Sequence, residues 1–291
     1  MSDSNQAPQY LVQKPLKKNK LPLIIAGTLA FFLIGGAIAL LFLGIQNSDE
    51  ATEESPVAGD YAPIEFAGPK GMGSGGIVFG EGLNPLDSPA IAAGATPKPH
   101  VSDRESGEVD ILVYVDYRCP HCMMFEQVNS GVLEEAIVAG NAKVEIRPLT
   151  FMDRYSAGTA YSSRAANLIA CTVENKPEFT WMMHNLLLNP NVQPEGEGPG
   201  HDNEMLLEMT KNITGSMDAT FADCITEERY VPFMGAINDW TFMHPVPGAV
   251  DASLMVEGTP LVVVNGFEYS GDISDSNNLY EFLKEQGVAF E

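Results

Sequence analysis

Ile111-Leu112-Val113-Tyr114-Val115-Asp116-Tyr117-Arg118-Cys119-Pro120-His121-Cys122-Met123-Met124-Phe125-Glu126 carries a β-branched, aromatic run into a Cys-x-x-Cys helix opening. The first part has the composition of a buried strand, and Pro120 is suited to an early helical position because it has no N–H to leave unpaired. Cys119 is thereby expected at a helix N-terminus. There, free backbone N–H groups and the positive end of the helix dipole favour a thiolate over a thiol. A lowered pKa makes that sulfur reactive at neutral pH and a good leaving group in exchange with another disulfide. Cys122 lies one turn further on, on the same helix face, where it can act as the resolving partner.

Working outward, the helix is expected to run to about Gly140 and to be followed by a strand over residues 142–149, a connection long enough for a parallel crossover. From Ser156 to about Trp240 the apolar spacing turns helical, broken by Asn189-Pro190 and by the Gly/Pro-rich residues 194–200. Trp181 and Trp240 read as core of this helical part. The strand pattern returns after Gly258-Thr259-Pro260, over residues 261–265, with Asn265-Gly266 as a hairpin turn into residues 267–270. A last amphipathic helix, capped by Ser276 and ended by Gly287, closes the chain. The expected class is α/β, with a helical subdomain over about 152–250 inserted into the sheet.

Upstream, residues 21–45 are 25 positions without a charge, about 37 Å as a helix, which is enough to cross a bilayer. Lys14, Lys17, Lys18 and Lys20 precede them, and Asp49, Glu50, Glu53 and Glu54 follow. The positive-inside rule then places residues 1–20 in the cytoplasm and the rest outside. The run is longer than a signal-peptide core and lacks a good cleavage site, so we read an uncleaved anchor in the cell membrane. Residues 46–76, acidic and then rich in Gly, Pro and Ala, read as a flexible linker to a domain over 77–291. The net charge of −23 lies wholly outside the Lys-bearing N-terminus, and so acidic a body would repel phosphate backbones. Nucleic acid is excluded as a partner on that ground.

The Cys119-Pro120-His121-Cys122 set, Phe125-Glu126 beyond it, Gly258-Thr259-Pro260 before an apolar strand, and the helical insertion between them together resemble the DsbA family of thioredoxin-fold oxidoreductases. More narrowly they are similar to its membrane-anchored MdbA type of Gram-positive bacteria. The resemblance covers residues 77–291 and rests on the order of the parts, because Cys-x-x-Cys alone is common. It implies a thioredoxin-like fold and a thiol-disulfide oxidoreductase acting on secreted or cell-surface polypeptides with free thiols. It also implies a quinone-linked membrane partner for re-oxidation. No cofactor is implied beyond the Cys119/Cys122 disulfide. A reductase or isomerase would use the same chemistry at a lower potential. A non-catalytic binding module on this scaffold would not depend on Cys119.

The same resemblance makes Pro260 a cis-proline facing the Cys119 sulfur, with Thr259 offering its backbone to an extended client. Pro120 and His121 would tune the thiolate, His121 through its imidazolium. Glu126 reads either as a proton-transfer partner for Cys122 or as a solvated helix residue. The strand position six before Cys119, acidic in many thioredoxin-fold enzymes, is Val113, and alternation turns Asp116 elsewhere. Outside the membrane Cys171 and Cys224 are expected to pair, as in similar family members, rather than remain two buried thiols. Met123, Met124, Met182, Met183, Met205 and Met209, with His121, His184 and His244, offer soft copper ligands. Their helical spacing reads instead as core packing, and no metal site is assigned.

Overall fold

The computed structural model describes residues 61–100, 102 and 104–290. The expected cytoplasmic tail over 1–20, the expected anchor over 21–45 and the expected linker as far as residue 60 lie outside the described residues. No helix among the described residues is long and apolar enough to cross a membrane.

The sheet is built around β3 (Val109–Asp116) and β4 (Ala142–Leu149), which pair in parallel from Val109 opposite Ala142 to Asp116 opposite Leu149. The helix α1 (Pro120–Val138) makes the crossover between them. On one side β1 (Ile77–Gly80) adds antiparallel to β4, and the two-residue β2 (Asn84–Pro85) adds to β1. On the other, β5 (Leu261–Val264) adds antiparallel to β3, and β6 (Phe267–Glu268) to β5, for a strand order of β2-β1-β4-β3-β5-β6. Asn265 and Gly266, both at positive φ (50° and 80°), make the hairpin turn. The turn requires glycine at 266, because a Cβ there would stand 2.3 Å from the Gly248 carbonyl oxygen.

Strand alternation divides the core. Ile111, Val113 and Val115 share the main core with Phe125, Leu133 and Ile137 of α1. Leu112 and Tyr114 join Leu149, Val263, Val246 and Val256 in a smaller core. The last helix, α7 (Ser276–Glu285), packs on α1. Asp275 accepts from the Asn277 N–H at 3.0 Å and is the cap; Ser276, expected in that role, is the first helical residue. An aspartate one position earlier competes successfully because its carboxylate complements the helix dipole.

Between β4 and β5 the chain forms α2 (Tyr161–Asn175), α3 (Thr180–Leu187), α4 (Asn203–Thr214), α5 (Ala219–Thr226) and α6 (Val231–Met243). Every residue of α2 from Tyr161 to Val173 is buried, and this helix is the axis on which α3, α5 and α6 pack. Its mixture of Ser, Arg and Asn with apolar residues hides that central place. Asp202 and Asp218 cap α4 and α5 by accepting from Met205 N and Phe221 N, each at 2.9 Å. Trp181 and Trp240 are both buried. A disulfide joins Cys171 of α2 to Cys224 of α5.

The flexible-linker reading of residues 46–76 is corrected from Tyr61 onward. Ile64 and Met72 are buried in the main core, and Gly68 lies so close to Phe233 that a Cβ would fall 2.4 Å from its ring. The Ala62 N–H meets His244 Nε2 at 3.2 Å, and the Ala62 carbonyl accepts from Trp240 Nε1 at 2.9 Å. Glycines that permit close backbone packing have the same composition as glycines that permit flexibility.

The Cys171–Cys224 link closes a separation of 53 residues. Replacing both cysteines by alanine is expected to lower stability by about 4 kcal/mol on the chain-entropy scale, read as a lower midpoint in urea unfolding.

Candidate redox site

Because β5 runs antiparallel to β3, with Leu261 opposite Tyr114, the start of β5 lies at the end of β3, where Cys119 begins α1. This register brings two distant parts of the chain together. Cys119 is the N-cap of α1, with extended φ and ψ of −74° and 119°, and Pro120 follows inside the first turn. The Thr259-Pro260 bond is cis, and the Thr259 carbonyl is 3.3 Å from Cys119 Sγ. Cys119 retains 5% of its surface, whereas Cys122 has none, and both are free thiols here.

This difference in burial separates the two sulfurs chemically. The Cys119 pKa falls from 9.0 to about 5, chiefly because the Cys122 thiol donates toward it; burial opposes the shift, and Thr259 and the backbone N–H groups of Cys122 and His121 assist it. Cys122 is pushed well above 9.0, first by burial and then by its bond to Cys119. One sulfur is therefore ionised at neutral pH while its neighbour keeps its proton. Pro120 and His121 are exposed. The part His121 takes in lowering the Cys119 pKa comes through its backbone N–H.

Asp116 does not turn away from the site. It is fully buried: its Oδ1 accepts from Arg118 N at 2.9 Å and Ser162 Oγ at 2.7 Å, and its Oδ2 accepts from Met152 N at 3.0 Å. Its own N–H points to Cys122 Sγ at 3.5 Å. The carboxyl thus ties the turn before Cys119 to the start of the insertion. Burial raises its pKa from 3.8 to about 7, against the effect of those three donors. Gln193 adds a second tie, its amide nitrogen donating to the carbonyls of Tyr117 and Cys119, each at 3.1 Å.

Glu126 is not a solvated helix residue. It is buried, with Oε2 3.3 Å from His184 Nε2, while His184 Nδ1 lies 3.0 Å from the Tyr117 hydroxyl. His184, weighed in the sequence only as a copper ligand, faces the redox helix instead. Sequence spacing could not reveal this contact, because 58 positions of chain separate Glu126 from His184. Asp116 carried a signal in its place three residues before Cys119, and strand alternation alone misdirected its side chain.

Two depressions flank Cys119. One, of about 440 Å³, is lined by Arg118, Pro120, Met123, Met152, Tyr155, Pro190 and residues 193–197. The other, of about 520 Å³, lies along Thr259, Pro260 and Leu261 with Asp251, Glu257 and Glu268 at its walls.

A family model described as thioredoxin matches residues 96–285. The chain belongs to that thioredoxin family. A search of curated proteins finds no match. Among solved structures, this thioredoxin-family chain is similar in fold to the oxidised DsbA of Mycobacterium tuberculosis, at 21% identity and a TM-score of 0.55, covering 74% of this chain and 93% of that one. It is similar also to the thiol-disulfide oxidoreductase MdbA of Corynebacterium diphtheriae, at 19% identity and a TM-score of 0.51, covering 78% and 96%. The disulfide oxidoreductase DsbG of M. tuberculosis gives 21% identity and a TM-score of 0.54, covering 74% and 89%.

In the reduced protein, thiolate absorbance is expected to titrate with a midpoint near about 5. Cys122→Ala, which removes the largest cause of that shift, should move the midpoint upward. Asp116 gives a second pH signature. Its pKa is higher folded than unfolded, so its contribution to stability is full below about 3.8 and is lost as pH rises toward about 7. Urea unfolding of the wild type and Asp116→Asn across that interval should show the wild type losing stability relative to the variant as pH rises.

Proposed function

We propose that this protein is a thiol-disulfide oxidoreductase that introduces disulfides into secreted or cell-surface polypeptides through Cys119/Cys122. The observation that carries this reading is the opposed ionisation of the two sulfurs, with Cys119 at about 5 and Cys122 well above 9.0. A thiolate stabilised in the reduced protein makes the corresponding disulfide easier to reduce and hence a stronger oxidant.

A client thiolate attacks Cys119 Sγ in the enzyme disulfide; the Cys119–Cys122 bond breaks and a mixed disulfide forms. The second client thiolate then attacks the client sulfur of that bond, and Cys119 leaves as the thiolate that its surroundings favour. The client gains a disulfide and the enzyme becomes the dithiol. Thr259 and Pro260 border the Cys119 sulfur, where an extended client can pair with exposed backbone, and the two flanking depressions give room for side chains on either side.

The long uncharged run at 21–45, with lysines before it and acids after it, supports a single-pass anchor in the cell membrane and an extracytoplasmic catalytic domain. The Cys171–Cys224 disulfide is consistent with an oxidising compartment. Re-oxidation is assigned to a quinone-linked membrane partner.

Equilibration of the Cys119/Cys122 pair with glutathione tests the direction. A reduction potential near about −120 mV, the DsbA end of the scale, is expected; one near about −270 mV, as for thioredoxin, would reassign the protein as a reductase. Cys119→Ser should abolish exchange, and an unchanged cellular role in that variant would leave only the binding-module reading.

A further inference from the structure

The depression of about 440 Å³ beside Cys119 has apolar walls with a cation among them. Pro120, Met123, Met152, Tyr155 and Pro190 supply the walls, and Arg118 supplies the charge. Arg118 directly precedes Cys119, yet it keeps only 3% of its surface. Its guanidinium stands 5.9 Å from the centre of the Tyr161 ring, and Nη2 donates to the Gly196 carbonyl at 2.8 Å. Nε and Nη1 are buried and have no hydrogen-bond partner among the described residues. A cation taken out of water with unpaired donors is unfavourable until an acceptor meets it.

The surrounding carboxylates do not fill that place. Glu195 and Glu197 line the same depression, but both are exposed, and among the described residues neither forms an ion pair with Arg118. Asp116 accepts only the backbone N–H of Arg118, and its oxygens are otherwise held by Ser162 and Met152. The other buried arginine nearby, Arg164, is committed to the carbonyls of Thr159 and Pro199. At the rim, the exposed Arg154 lies 5.0 Å from the centre of the Tyr155 ring and likewise forms no ion pair among the described residues. Two arginines without a carboxylate thus border one depression, in a chain whose net charge is −23.

We propose that this depression is a client subsite that selects an acidic side chain set among apolar ones, with Arg118 as the specificity-determining residue that receives the carboxylate. The proposal rests on the oxidoreductase reading and names the class of client segment that its site favours. A carboxylate fits better than a neutral carbonyl, because its bond to a guanidinium is about twice as strong and its two oxygens match the planar donors. Arg118 adjoins the reacting cysteine, and three extended residues span about 10 Å, so the acid belongs within about three residues of the client cysteine. The acidic body opposes such a client at long range, where salt screens the charges, whereas Arg118 acts at contact.

The other flank of Cys119 has the reverse preference. Asp251, Glu257 and Glu268 line its depression, and no Lys, Arg or His is among the lining residues. An acid placed there meets like charge, so the two flanks orient the client as well as select it.

The test uses the oxidised protein and short peptides with one cysteine and apolar neighbours. Asp, Asn or Lys stands in turn at each of the three positions before and after the cysteine. Formation of the Cys119 mixed disulfide is timed, and each rate is referred to the peptide's own thiolate concentration, which removes the effect of Asp on the peptide thiol. In the wild type, Asp should react about tenfold faster than Asn on one side of the cysteine only, with Lys below Asn there. On the other side Asp should be the slowest of the three. Arg118→Gln should bring the Asp-to-Asn ratio on the selecting side to about one. Arg118→Lys keeps the charge but not the planar donors; it should retain part of the preference, and it decides the matter if the glutamine variant does not fold. Equal rates for Asp and Asn on both sides in the wild type, or a preference unchanged in the folded variants, would overturn the proposal and leave the oxidoreductase reading standing. Failure of every peptide to form the mixed disulfide would overturn that reading, and the proposal with it.

Discussion

The contact between Cys119 Sγ and the carbonyl of Thr259, 3.3 Å apart across the N-terminus of α1, is the constraint from which the site follows. It holds one sulfur at the rim, where another chain can reach it, and leaves the second wholly buried. A helix terminus supplies N–H groups to the first, and burial denies water to the second. The Cys122 thiol, donating to Cys119, is the largest cause of the fall in the Cys119 pKa. Together these effects leave a thiolate and a thiol one helical turn apart, which is the asymmetry that directional exchange requires.

That contact depends on the sheet. Antiparallel pairing of β5 with β3 brings residues 140 positions apart to the same end of the sheet, and the parallel β3–β4 pair places α1 over the main core. The insertion then closes around this end. Ser162 of α2 and Met152 donate to Asp116, Gln193 donates to the carbonyls of Tyr117 and Cys119, and His184 of α3 meets Glu126. A helical subdomain that looks in sequence like an appendage to the sheet thus contributes most of the polar contacts around the redox turn. The buried carboxylates would be unfavourable without those donors.

Much of the architecture was legible because strand and helix periodicities differ. The strand before Cys119, the α1 crossover, β4, and the Asn265-Gly266 hairpin all stand where the pattern placed them, since each is defined by local sterics or by one apolar face. The linker over 61–76 and the cap at Ser276 were misread for opposite reasons. In the first, small residues served close packing against Phe233 and α6, which composition does not report; in the second, two adjacent polar residues were equally eligible and geometry chose Asp275. The burial of α2 was also hidden, because its Ser, Asn and Arg side chains are satisfied by partners elsewhere in the chain.

The sequence by itself determined the reactive element: a strand, a proline-started helix and two cysteines at i and i+3 need only local stereochemistry to expose one sulfur at a helix N-terminus. It also marked Thr259-Pro260 by resemblance. Only the tertiary structure decided which groups surround the redox turn. Asp116 faces the insertion rather than following simple alternation, Glu126 is buried against His184, and Tyr117 meets the same histidine from the turn between strand and helix. These are contacts between segments far apart in the chain, set by how α2 and α3 fold back over the end of the sheet. The pKa of a buried group depends on those neighbours and on the loss of water, neither of which local sequence encodes.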